Sequence, residues 1–108
     1  MKIFYRQAAH DDVVRQFRYY LVDQNLPKVA ARFKDAVRAT VESLCRYPLI
    51  GARYRSRNPQ LSALRSWPVA GFERIRIFYR IEGDTLQVVR ILHGSRDLKR
   101  ILGREQSL

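Results

Sequence analysis

Two alternating apolar runs, separated by one short turn, constrain this sequence more than any other feature. Residues 72–81 (FERIRIFYRI) and 85–93 (TLQVVRILH) are rich in β-branched and aromatic side chains, and "EGD" lies between them. Such runs predict the two antiparallel strands of a hairpin, because alternate residues of a strand face opposite sides of a sheet. A chain of 108 residues built around this hairpin fits a single domain over residues 1–108, with a tail from about residue 103 that we expect to be flexible.

The length of the turn sets which face each hairpin residue occupies. A three-residue turn pairs Ile77 with Val89 and Ile75 with Ile91, which places all four on the buried face. A two-residue turn would instead pair Ile77 with Arg90 and direct a charge toward the core, at a cost of several kcal/mol if the charge is unpaired. The sequence therefore favours the three-residue turn.

With this register the opposite face of the hairpin is both apolar and cationic. It carries Arg74, Arg76, Phe78, Arg80, Val88, Arg90 and Leu92. A mixed surface of this kind is typical of a binding face. The alternative is an ordinary solvated sheet surface, although closely spaced arginines repel one another unless anionic groups pair with them.

The rest of the chain predicts an α+β domain. Residues 2–6 alternate as a short strand, and residues 9–24 and 27–46 have apolar residues at helical spacing, with Pro27 at the start of the second helix. Asp11 and Asp12 are expected in the first turn of the first helix, where carboxylates suit the helix dipole. A third strand in "LSALRSWPV" contains Pro68 and is placed at an edge or bend. The order β-α-α-β-β-β predicts a helical hairpin packed on one face of a curved, mainly antiparallel sheet.

Charge indicates the class of partner. The net charge is +11, and residues 53–104 carry twelve Lys or Arg against four acids. Arginine forks pair with carboxylates and phosphates through two bonds, so nucleic acid, an acidic protein or an anionic surface are the expected partners. The single cysteine, Cys45, excludes an intrachain disulfide. No apolar run approaches the ~20 residues of a membrane span, and we expect a cytoplasmic protein without a signal peptide, membrane contact, metal or other cofactor.

One group of residues has the chemistry of a possible catalytic site. His93 and Arg96 follow the last predicted strand, and Arg65 lies in a neighbouring strand. A histidine can move protons while an arginine holds the charge of a pentavalent phosphate, as RNA cleavage requires. The structural alternative is that Asp97 pairs with an arginine and that the His93 ring caps the strand end.

Three segments in order resemble one family along nearly the whole chain. They are "YPLIG" (residues 47–51), "LRSWPVAGFERIRIFYRI" (64–81) and "VVRILHGSRDLKRIL" (88–102). Together they resemble the ParE branch of the RelE/ParE toxin superfamily, the toxins of bacterial type II toxin–antitoxin modules.

The resemblance implies a small α+β toxin held inactive by an acidic, ParD-like antitoxin. That antitoxin usually carries a DNA-binding N-terminal dimer, so the toxin would meet operator DNA indirectly. ParE-type members poison DNA gyrase, whereas RelE-type members cut messenger RNA on the ribosome with a basic cluster and a Tyr or His near the C-terminus. The end "RDLKRILGREQSL" has neither residue, which favours gyrase. The ribonuclease alternative stays open through His93, Arg65 and Arg96.

These inferences predict two binding surfaces. The antitoxin is expected on the mixed hairpin face and on the exposed side of the helical hairpin. The target is expected on Arg65, Arg96, Leu98, Lys99 and Arg100. A basic nucleic-acid-binding module is the remaining alternative for the chain as a whole.

Overall fold

The structure is a computed structural model that describes residues 1–55, 57, 59–94 and 101, without the side chain of Gln60. The chain forms one mixed five-stranded sheet with a helical hairpin on one face, so the predicted α+β class is confirmed. The helices are α1 (Gln7–Arg18), α2 (Pro27–Arg46) and α3 (Pro59–Ser62), and a π-helical segment (Tyr19–Asp23) extends α1. The strands are β1 (Lys2–Tyr5), β2 (Ala52–Arg53), β3 (Arg65–Val69), β4 (Phe72–Glu82) and β5 (Thr85–His93).

The sequence determines the helical hairpin through its breaks and its apolar stripe. Pro27 takes the first turn of α2, where a missing amide hydrogen costs nothing. Asn25 adopts a positive φ of 52° between the two helices, a conformation that asparagine tolerates better than most residues. The buried residues of α2 recur at helical spacing and turn one side of the helix to the sheet. They are Ala30, Phe33, Val37, Thr40, Val41 and Leu44.

The strands are ordered β1-β5-β4-β3-β2 across the sheet. β1 lies parallel to β5, and the other neighbours are antiparallel. Pro68 lies in β3 at a register shift, beyond the two residues that pair with β2. A proline is tolerated there because its missing amide hydrogen leaves no ladder bond unmade.

The hairpin turn has two residues rather than the predicted three. Glu82 pairs with Thr85, and Gly83 takes the first turn position with a φ of 59°, as a type II′ turn requires. A β-bulge then shifts the register between Phe78 and Tyr79. Compared with the predicted three-residue turn, the two-residue turn exchanges the two faces of β5 between the turn and the bulge. The bulge adds one residue to β5 and so restores the predicted faces beyond it.

The predicted register was therefore wrong in part. Ile77 pairs with Ile91, not with Val89, and Ile75 pairs with His93. Ile75, Ile77 and Ile91 do face the helices as predicted, because a shift of two residues preserves the face. Val89 lies on the opposite side of the sheet.

Two buried clusters hold the fold together, one on each face of the sheet. The helix-side cluster joins Phe33, Val37, Val41 and Leu44 of α2 to buried residues of the sheet, and Tyr20 and Phe72 pack against it. Edge-to-face contacts link the Phe33 ring to those of Tyr20 and Phe72, with centroids 5.6 and 5.4 Å apart. The far-side cluster is smaller and contains Leu61, Leu64, Phe78, Val89 and Leu92, with Tyr54 and Ile101 packed against it.

Candidate functional site

A tight turn after α2 is attached to the sheet by two side chains. The backbone amide of Ile50 donates to the Tyr47 carbonyl at 3.1 Å, closing the turn around Pro48. The Tyr79 hydroxyl donates to the Pro48 carbonyl at 2.8 Å and accepts from the Gly51 amide at 3.0 Å. Arg65 Nη1 donates to the carbonyls of Gly51 at 2.9 Å and Leu49 at 3.2 Å. These bonds fix the turn against β3 and β4.

Only glycine fits at position 51 of this turn. A Cβ there would contact the Tyr79 hydroxyl closely and would lie 2.8 Å from Tyr79 Cε1 and 2.9 Å from the Ser66 carbonyl oxygen. Burial raises the pKa of the Tyr79 phenol above its ordinary value, while the Gly51 amide and the Arg65 guanidinium act in the opposite direction. Tyr79 is therefore a neutral structural anchor at physiological pH.

The arginines predicted on the far face occupy different environments. Arg74 is exposed. Arg76 donates through Nη2 to Ser66 Oγ at 3.1 Å, and Arg80 forms a 2.9 Å ion pair with Glu82. Two of these arginines thus form a hydrogen bond or an ion pair with groups of the same sheet.

Arg90 was predicted to lie on the exposed far face, and the structure contradicts this prediction. It is buried, and its Nε and Nη2 each donate to the Asp12 carboxylate at 2.8 Å. The Ile91 amide also donates to Asp12, at 3.0 Å. The bulge frees Arg90 from simple strand alternation, so its side chain reaches α1 and cannot contribute to a surface on the far side.

Asp12 is the important polar residue that sequence reasoning misassigned. It lies in the middle of α1 rather than in the first turn, and it is almost fully buried. A buried carboxylate must be paired and hydrogen-bonded. Two features of the sequence could have indicated that Asp12 is buried and paired. It lies on the apolar side of α1, one residue before Val13, and the most apolar strand contains an arginine.

The apolar anchors predicted for the antitoxin are not at the surface. Phe78 and Leu92 lie on the far side of the sheet as predicted, but Leu61 and Leu64 bury them. Val88 faces the helices, because it lies between the turn and the bulge. Leu61 and Leu64 belong to "LSALRSWPV", which was predicted to be a strand, whereas β3 begins only at Arg65 and the residues before it fold over this face.

His93 and Arg65 do not meet. Arg65 pairs with Tyr79 on one side of β4, and His93 pairs with Ile75 on the other. Four residues of β4 and two strand spacings separate them, about 13 Å along the sheet and about 10 Å across it. The Nδ1 atom of His93 is buried without a hydrogen-bond partner among the described residues. Arg96, Leu98, Lys99 and Arg100 lie outside the described residues, as does Asp97.

An apolar groove lies between the two helices, beside exposed hydrophobic residues. Its volume is about 360 Å³. It is lined by Tyr5, His10, Val13, Val14, Phe17, Lys34, Val37 and Arg38. Val14 is also exposed, and so are Tyr19, Leu21, Val22 and Leu26 further along the hairpin. Phe17 of α1 lies half-buried at this groove.

In the described part of the chain, no group of three or more His, Cys, Asp or Glu side chains could hold a metal ion. No helix within the described ranges has the length and apolar character to cross a bilayer.

Comparison with solved structures supports the fold. A chain of the "Chromosomal ParDE TA system from P. aeruginosa" superposes with a TM-score of 0.71 at 20% sequence identity, covering 88% of this chain and 97% of that one. The "YoeB/ParE toxin from Agrobacterium tumefaciens" superposes with a TM-score of 0.62 at 17% identity, covering 86% and 98% of the two chains. These identities establish similarity of fold alone.

Comparison by sequence establishes the family. Among curated proteins no significant match is found. The family model described as "ParE toxin of type II toxin-antitoxin system, parDE" matches residues 3–98, a range that includes the helical hairpin, strands β2 to β5 and all but the first residue of β1. The chain therefore belongs to the ParE toxin family of type II toxin–antitoxin systems, a membership that implies an antitoxin partner.

Proposed function

We propose that this ParE-type toxin inhibits DNA gyrase without bond chemistry of its own. The observation that carries the proposal is the separation of His93 from Arg65, about 13 Å along the sheet and about 10 Å across it. A general acid or base must lie within hydrogen-bond reach of the proton it transfers, in the same site as the group that holds the phosphate charge. Arg65 instead donates to two backbone carbonyls.

A gyrase poison needs surface complementarity rather than a proton carrier. Gyrase already forms a covalent intermediate with cleaved DNA, and a protein that binds this state more tightly than the others raises its population. Arg65 and the segment with Arg96, Leu98, Lys99 and Arg100 are proposed to take part in this contact. Because gyrase acts on the chromosome, the toxin would work in the cytoplasm.

The test pairs one variant with two readouts on the parent protein. His93→Gln should retain most of the toxicity, because glutamine replaces a ring hydrogen bond but carries no proton near neutral pH. Purified parent protein should cause cleaved plasmid to accumulate with gyrase and should leave messenger RNA intact on translating ribosomes. RNA fragments without cleaved plasmid, together with a loss of about a hundredfold in the His93→Gln variant, would establish the ribonuclease alternative instead.

We further propose that an acidic antitoxin segment neutralises the toxin at the helical hairpin. The groove between α1 and α2 offers apolar walls from Val13, Val14 and Phe17, with Lys34 and Arg38 beside them. An amphipathic helix with apolar anchors and acidic flanks matches this combination. Arg74, Arg76 and Arg80 remain proposed contacts for the acidic part, whereas burial removes Phe78, Val88 and Leu92 as anchors.

This surface predicts a particular dependence on salt. Exposed charges mainly speed encounter, so added salt should slow association with the antitoxin more than it hastens dissociation. Val14→Ser should raise the dissociation rate, and Val22→Ser, at an exposed apolar residue outside the groove, serves as the matched control. Tight binding of the free toxin to naked DNA at physiological salt would support the nucleic-acid-binding alternative.

A further inference from the structure

The segment of residues 46–57 (RYPLIGARYRSR) concentrates positive charge at the β2 edge of the sheet. It contains four arginines and no acidic residue. Arg46, Arg53, Arg55 and Arg57 are all exposed. None of the surface functions proposed above uses this segment, which we call the basic segment.

The backbone of the basic segment directs its arginines outward. Arg53 lies in β2, and the Tyr54 amide continues the pairing by donating to the Leu64 carbonyl at 2.8 Å. Tyr54 packs inward against the far-side cluster. In an extended chain the flanking residues face the opposite way, so Arg53 and Arg55 project to the side opposite Tyr54, and both are exposed.

The turn at the start of the basic segment exposes three large apolar side chains. Tyr47, Leu49 and Ile50 retain 63%, 66% and 49% of their accessible surface. They surround Pro48 in the turn that Tyr79 and Arg65 hold to the sheet. Because the turn is already fixed, little conformational entropy is lost when these side chains bind a partner.

We propose that the basic segment contacts the duplex DNA held in the gyrase cleavage complex, with its arginines on phosphates and its apolar turn against the minor groove. Arginine forks bind phosphate through two bonds, and apolar wedges of Leu, Ile or Pro are the side chains that proteins insert at base steps. A segment without any acid suits a polyanion. This inference rests on the proposed gyrase function.

Charge-matched variants test the arginines. Arg53→Gln with Arg55→Gln removes two charges from the basic segment, whereas Arg18→Gln with Arg32→Gln removes two exposed charges from the helices. The first pair should raise the toxin concentration needed for half-maximal DNA cleavage by gyrase at least tenfold, because each phosphate contact contributes to affinity. The control pair should stay within twofold. Thermal unfolding of both pairs should match the parent protein.

A photo-crosslinking residue at position 49 identifies the partner directly. Leu49→p-benzoylphenylalanine, in the complex of toxin, gyrase and a radiolabelled duplex, should crosslink to DNA. Crosslinking to a gyrase subunit instead, or equal activity of the two charge-matched pairs, would overturn the inference while leaving gyrase inhibition intact. A parent protein that leaves gyrase unaffected would overturn the proposed function, and this inference with it.

Discussion

The two faces of the sheet are buried in different ways. The helix-side face packs against Phe33, Val37, Val41 and Leu44 of α2, and the buried Asp12–Arg90 ion pair joins α1 to β5. Among the described residues, the far face is covered by a short segment around Leu61 and Leu64, by Tyr54 and by Ile101. The comparison teaches that a small sheet can bury one face beneath long helices and the other beneath a smaller cluster supplied by short segments.

The largest expected effect comes from a charge on the helix-side face. Ile77 of β4 is fully buried in the helix-side cluster, so Ile77→Asp would place an unpaired carboxylate in the main core and should unfold the domain. Circular dichroism and thermal denaturation would show the loss. A melting temperature within a degree or two of the parent would mean that β4 has its faces assigned wrongly.

Breaking the ion pair should cost almost as much. Asp12→Ala leaves the buried Arg90 guanidinium and the Ile91 amide without their acceptor, and we expect a loss of about 3–5 kcal/mol in the free energy of unfolding. Urea denaturation measures it. Asp11→Ala, one residue away and exposed, is the control and should change stability by about 0.5 kcal/mol or less. Equal costs for the two variants would contradict a buried role for Asp12.

The hydroxyl of Tyr79 connects the core to the turn after α2. Tyr79→Phe keeps the ring but leaves the Gly51 amide and the Pro48 carbonyl without this partner, at an expected cost of about 2–3 kcal/mol. Chemical denaturation gives the cost, and amide hydrogen exchange at Gly51 should accelerate. Tyr47→Phe changes an exposed tyrosine and should be neutral. If exchange at Gly51 is unchanged in Tyr79→Phe, the hydroxyl does not hold the turn.

Two neighbouring valines compare the faces directly. Val88 and Val89 are both fully buried, the first on the helix side and the second on the far side. Val88→Ala should cost about 2 kcal/mol, from the lost methyl groups and the cavity they leave. Val89→Ala should cost about 1 kcal/mol, because the smaller far-side cluster can relax into the cavity that the lost methyl groups leave. If Val88→Ala left the free energy of unfolding unchanged, the result would support the register predicted from the sequence instead.

The smallest expected effect is a loss of stability in alkaline solution. Burial raises the pKa values of Tyr5, Cys45 and Tyr79 above their ordinary range. The folded state then holds these protons more tightly than the unfolded chain. Stability is therefore complete below the ordinary pKa values and falls as pH rises from about 9 through the raised values. Tyr5→Phe should flatten this decline in urea titrations from pH 7 to 11, and an unchanged slope would exclude Tyr5 as a contributor.

Much of this fold is local and was predictable. The alternation over residues 85–93 coincides with β5, and Pro27 and Tyr47-Pro48 bound α2 as predicted. Local signals of this kind depend on backbone sterics and on the periods of helix and strand, which a sequence displays directly. The motifs that resemble ParE also led to the correct family.

The candidate sites were less predictable, because they depend on the register of the strands and on which segments cover the sheet. The two-residue turn exchanged Val88 and Val89 between the faces, the bulge restored the faces beyond it, and a short segment beyond β2 buried Phe78 and Leu92. Nothing in a local period indicates whether a loop projects into solvent or folds back over a sheet.

By itself, the sequence determined the helical hairpin, strands β1, β3, β4 and β5, the positive charge and the family, because each follows from local chemistry or from motif similarity, whereas the short elements β2 and α3 were missed. Only the tertiary structure decided that Arg90 pairs with Asp12, that Tyr79 and Arg65 hold the turn around Pro48, and that His93 lies far from Arg65. These are contacts between residues distant in sequence. They depend on the two-residue turn and the bulge, since a shift of one residue in a strand reverses the face of every side chain that follows.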